Sequence, residues 1–188
     1  MALTFQPRGN VPATPTLRLQ DATLRDLVRN RSGQELGHTT YSITWKGPPP
    51  NAAGRFTSLD VTFTLRIEMP VWTSYPHRPE PERREWDRFY RALLEHEQGH
   101  IAIIKREAQT TYTRLLAATK DTINNVAEQE TQRIHRANAA YDSQTDHGRR
   151  QNSPHGNTII VVPFEQITNP PPPGCTPGWP SRAGSVGR

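Results

Sequence analysis

Five consecutive residues, His96-Glu97-Gln98-Gly99-His100, combine the types and spacing of a metal-assisted hydrolytic site. Residues i and i+4 of a helix lie one turn apart on one face, so both imidazoles of this H-E-x-x-H pattern can reach a single Zn²⁺. Glu97 adjoins the first ligand and is placed to act as general base on a water that the metal activates. The expected cofactor is one zinc ion, which brings the pKa of such a water towards ~7. Gly99 is the odd member, because glycine costs a helix about 1 kcal/mol relative to alanine. It makes sense if something packs close there, such as a substrate or a crossing backbone. Two histidines do not complete a catalytic site, for which three protein ligands plus water are usual. Downstream candidates are Glu128, Glu130, His135, Asp142, Asp146, His147 and His155.

The motif needs a helix to carry it. Trp86, Phe89, Tyr90, Leu93, Leu94, Ile101, Ile104, Ala108, Tyr112 and Leu115 recur at spacings of three and four, which predicts a long helix over about 82–117. A second helix is predicted over about 120–139, with Ile123, Val126, Ile134 and Ala137 as its weaker apolar stripe. Residues 141–157 are polar and contain glycine, and read as loop. Before the helices, 38–47 reads as a strand. Residues 55–70 show five period-2 repeats (Leu59, Val61, Phe63, Leu65, Ile67) ending at Pro70, the pattern of a sheet with one buried face. Residues 1–17 read as an extended, Pro-rich lead-in. Residues 16–30 are ambiguous, strand-like at Leu17 and Leu19 and helical at Leu24, Leu27 and Val28. A short late strand is a candidate over 157–167.

Composition limits the function classes. The 188 residues are 33% hydrophobic and include 18 Pro and a single Cys, Cys175. No run approaches the ~18 apolar residues of a membrane span. One cysteine excludes a disulfide scaffold. The net charge is +5, but the basic excess lies outside residues 78–147 and is scattered. A nucleic-acid binder concentrates its Lys and Arg on one element. We therefore expect neither a nucleic-acid nor a membrane partner. The N-terminus lacks the apolar core of an export signal, so the chain reads as cytoplasmic by default.

The residues resemble the DUF922 family, described as bacterial secreted zinc-dependent proteases of the H-E-x-x-H superfamily. The likeness covers about 38–150. It rests on the Met69–Trp72 stretch, on Glu85–Ile103 with its HEQGH, and on Tyr141-Asp142-Ser143-Gln144-Thr145-Asp146-His147-Gly148. The resemblance implies a zinc peptidase acting on peptide or protein, with a sheet before the active-site helix, and a secreted or periplasmic location. With it in hand we assign His147 as third ligand beside His96 and His100, because imidazole binds zinc strongly and Gly148 lets the backbone turn. Asp142 is the chief competitor. Tyr141 is a candidate oxyanion donor, against the alternative of a packed loop tyrosine. The expected fold is α+β and zincin-like, a small, mostly antiparallel sheet followed by the H-E-x-x-H helix and a second helix. The expected organisation is a lead-in at 1–37, a metallopeptidase domain at 38–167 and a Pro-rich disordered tail at 168–188. The rival function is a zinc-stabilised binding or structural module without turnover.

Overall fold

In the computed structural model, residues 2–163 are described. The central strand is β4 (Asp60–Trp72), and all three other strands pair with it. β3 (His38–Lys46) runs antiparallel to it, from His38↔Glu68 to Lys46↔Asp60. β1 (Ala2–Gln6) and β2 (Ala13–Leu19) run parallel to it, against residues 60–64 and 67–72. Because β3 occupies one edge of β4 from 60 to 68, β1 and β2 follow one another along the other edge.

The expectation of a mostly antiparallel sheet is thus corrected: the sheet is mostly parallel. The prolines of the first 17 residues concealed the parallel strands. Proline removes a ladder donor and is confined to edges and bulges, and these strands lie on an edge. Pro7 and Pro12 fall between them, and Pro15 lies at the register shift between Pro15 and Leu17. Pro70 does not end β4. It stands beyond Glu68, where β3 no longer needs a donor from β4.

The alternation in β4 does what its period implies. Val61, Phe63, Leu65, Ile67 and Met69 are all buried and join Leu59 in the core. The ambiguous stretch 16–30 contains both elements: β2 ends at Leu19, and α1 (Leu24–Asn30) starts at an N-cap where the Thr23 hydroxyl accepts from Asp26 N at 3.0 Å.

Helix α2 (Glu80–Ala117) packs on the sheet, and α3 (Ile123–Thr145) returns along it. The side chains fix an antiparallel register: Glu107 meets Arg133 and Thr111 meets Glu130. α3 runs six residues past the expected end at 139. Ser143 and Thr145 return their hydroxyls to the carbonyls of Ala139 and Tyr141, so their polarity is absorbed inside the helix. The helix stops where Asp146, His147 and Gly148 take positive φ.

No strand forms over 157–163. The remainder of that expected strand, and the Pro-rich tail with Cys175, lie outside the described residues. Among the described residues no helix is long and apolar enough to cross a membrane.

Candidate metal centre

The H-E-x-x-H face of α2 is buried: His96 is 4% exposed, Glu97 3% and His100 8%. α3 supplies the third group. Asp142 Oδ1 lies 3.1 Å from Nε2 of His96 and 3.1 Å from Nε2 of His100. The three ligand atoms fall within 4.8 Å of one another, and the group could hold a metal ion.

The donor set fits that role. Donors held tetrahedrally about 2 Å from a metal stand about 3.3 Å apart, close to the two 3.1 Å separations. The tautomer of His100 follows from its neighbour. Asn138 Nδ2 donates to Ile134 O at 3.0 Å, which turns its Oδ1 towards His100 Nδ1 at 2.8 Å. Nδ1 is therefore the protonated nitrogen, and Nε2 is left as an acceptor facing a carboxylate. An acceptor facing an anion is satisfied by a cation. His96 Nδ1, by contrast, is buried without a partner. Burial first, and then the repulsion that would arise if His96 and His100 were both protonated, push the His96 imidazole below its usual range, towards the neutral form that ligates metals.

Glu97 is held by β3 and the residue before it. Thr39 Oγ1 donates to Glu97 Oε2 at 2.7 Å, and Gly37 packs so closely that an added β-carbon would lie 2.7 Å from Oε1. Burial raises the Glu97 carboxyl above the usual range. It forms no salt bridge among the described residues; His100 and His38 act on it only through space.

The other sequence candidates are not among the three converging ligand atoms. His147 Nδ1 is 3.9 Å from Asp142 Oδ1, beside the trio rather than within it, and 2.7 Å from Oε1 of Glu35. Tyr141 stacks on the His96 ring (centroids 5.0 Å apart, 15° between planes) and meets the His100 ring edge-on at 5.1 Å. Its ring buttresses the two imidazoles. His135 packs beside Tyr41. Glu130 is committed to Arg114, Arg133 and Thr111, and Glu128 is exposed.

Asn138 escaped the sequence reading. Its signal was the four-residue step from Ile134 to Asn138 to Asp142, visible only if the second helix is continued past 139.

The trio opens on a cleft of about 910 Å³ between α2, α3 and the chain from Arg31 to Tyr41. Such a volume is ordinary for a ligand site. A parallel-dominated α+β fold carrying two histidines and an aspartate on a helix pair defines a candidate metal-binding protein. More than two thirds of the chain, residues 16–148, match the model of a family described as bacterial proteins of unknown function (DUF922), and the chain belongs to that family. No curated protein and no solved structure matches it.

Proposed function

We propose that this chain is a zinc-dependent peptidase with His96, His100 and Asp142 as the metal ligands and Glu97 as general base. One observation carries the reading. A glutamate only 3% exposed, in no salt bridge among the described residues, sits in the same cleft as three convergent ligand atoms. A purely structural metal site has no use for such a group, and burying it is costly.

Zinc, when bound, supplies Lewis acidity towards the scissile carbonyl and acidifies a water. The chain supplies the rest. Glu97 takes the proton of the attacking water, and its raised pKa suits a group that must later give that proton to the leaving amine. The Thr39 hydroxyl holds the Glu97 carboxyl in place. Asn138 holds His100. The edge of β3 that faces away from β4 borders the cleft at Gly37 to Tyr41, where an extended peptide can add as a strand.

A second reading has one observation in its favour. His147 Nδ1 lies 3.9 Å from Asp142 Oδ1, so a shift of its side chain away from Glu35 would bring it in as the fourth ligand of a closed site without turnover. Zinc content and peptide hydrolysis, measured on the wild type and on Glu97→Gln, separate the two. The peptidase reading expects about one zinc in both proteins, with turnover lost only in the variant. Zinc without hydrolysis in the wild type supports the closed module. Unchanged turnover in Glu97→Gln removes Glu97 from its role.

A further inference from the structure

After α3 the chain turns back and runs along α2 as an extended strap without regular secondary structure. Backbone bonds hold its start, Arg150 N to Thr145 O at 2.8 Å and Thr158 N to Gly148 O at 3.2 Å, and contacts that involve side chains tie it to α2. Gln151 Nε2 donates to Ala92 O at 2.9 Å, Ser153 Oγ to Glu95, and Val161 N to Glu85 Oε1 at 2.7 Å. Arg88 is the main anchor. Its Nη1 donates to the carbonyls of His155 (3.2 Å) and Asn157 (2.8 Å), its Nη2 donates to that of Ile159, and Nε and Nη2 grip Glu85. All five guanidinium hydrogens are used. The strap lies beyond the family match, which ends at 148.

The result of this anchoring is an apolar wall that is not itself buried. Ile159 is 47% exposed and Ile160 half-buried, and both line the cleft. Leu27 and Val28 of α1 and Phe89 and Leu93 of α2 line the same cleft. Leu93 stands one turn before Glu97, about 6 Å along the helix, and Phe89 about 12 Å. An apolar side chain adjoining a bond held at Glu97 would have Leu93 and Phe89 within one and two turns of that carboxyl. The cleft also has polar lining, at Tyr41, His135 and Asn138.

We infer that the strap is the selecting wall of the cleft, that Arg88 is its positioning residue, and that the substrate is a peptide with a large apolar side chain beside the scissile bond. This rests on the peptidase reading. The test uses two Ala-rich peptides that differ in one residue, Leu in one and Asp in the other. Products are identified by mass, and the proteins are zinc-loaded wild type, Ile159→Asp, Arg88→Ala and Arg88→Lys.

The wild type is expected to favour the Leu peptide by at least about ten-fold in kcat/KM. Ile159→Asp, a change at an exposed position, should remove most of that preference with zinc content and melting temperature unchanged. Arg88→Ala should raise KM for the Leu peptide while kcat moves little. Arg88→Lys should not rescue it, since an ammonium cannot span three carbonyls and a carboxylate. Equal cleavage of both peptides, or an undiminished preference in Ile159→Asp, overturns this inference and leaves the proposed function standing. Cleavage of neither by zinc-loaded wild type overturns the proposed function and this inference with it.

Discussion

The ring of Tyr141 occupies the space that a side chain at Gly99 would need. A β-carbon there would meet the tyrosine hydroxyl, Cζ and Cε1 well inside contact distance. The glycine in HEQGH is thus explained by an aromatic ring from α3, not by substrate or a crossing backbone. The same ring stacks on His96, so the contact that demands Gly99 also sets the first imidazole.

Gly99→Ala should therefore destabilise the protein, although alanine favours the helix by about 1 kcal/mol. Overpacking costs about 1–3 kcal/mol and outweighs it. Thermal unfolding should show a melting temperature lower by a few degrees. Adding Tyr141→Ala to Gly99→Ala should remove the clash, so the two changes should be non-additive. Additive losses in the double variant would show that the ring is not the obstacle.

Asp142→Ala should weaken zinc binding far more than His147→Ala. Loss of a ligand should exceed the 10–100-fold cost of losing an outer partner, whereas His147→Ala should stay under about ten-fold. Chelator competition on both variants reads this directly. The reverse ranking would return the third position to His147.

Asn138→Leu removes the acceptor that fixes the His100 tautomer. Zinc affinity should fall about 10–100-fold, with the fold intact. Wild-type affinity in this variant would mean that His100 needs no such support.

Glu130 is 1% exposed and is gripped by Arg133 at 2.7 Å, Arg114 at 2.8 Å and Thr111 at 3.1 Å. Glu130→Ala should cost about 3 kcal/mol or more, because it leaves Arg133 without its best-buried partner. Denaturant unfolding measures this. A loss below about 1 kcal/mol would place the network among ordinary surface pairs.

The same group gives an acid limit to stability. Burial works to raise the Glu130 carboxyl, but Arg133, with Thr111 and Arg114, outweighs it and holds the pKa below the ordinary value. A carboxyl whose folded pKa is depressed stabilises the fold above the unfolded pKa of about 4.3 and loses that stabilisation as pH falls through the folded value. Glu130→Gln should show a shallower loss of stability than wild type below about pH 4.3. Parallel pH profiles would exclude Glu130 as a source of the acid sensitivity.

Much of this protein follows from local pattern. The helix that carries His96, Glu97 and His100 is set by apolar residues at three- and four-residue spacing, and the i, i+4 geometry places both imidazoles on one face whatever else the chain does. β4 is equally local, since its period-2 alternation leaves only one face to bury. Other features depend on partners distant in sequence. β1 and β2 are strands because one edge of β4 accepts them, and Pro15 within β2 is tolerated because it lies at the register shift on that edge, where fewer donors are needed. The third member of the trio depends on the register between α2 and α3, fixed some 15 Å away by Glu107, Thr111, Glu130 and Arg133. That register brings Asp142 opposite His96, while the chain just past the helix end, with Asp146 and His147 at positive φ, turns the His147 imidazole towards Glu35. The sequence contained both candidates within six residues of each other; only the length of α3 and its packing against α2 decided which of them meets the two histidines.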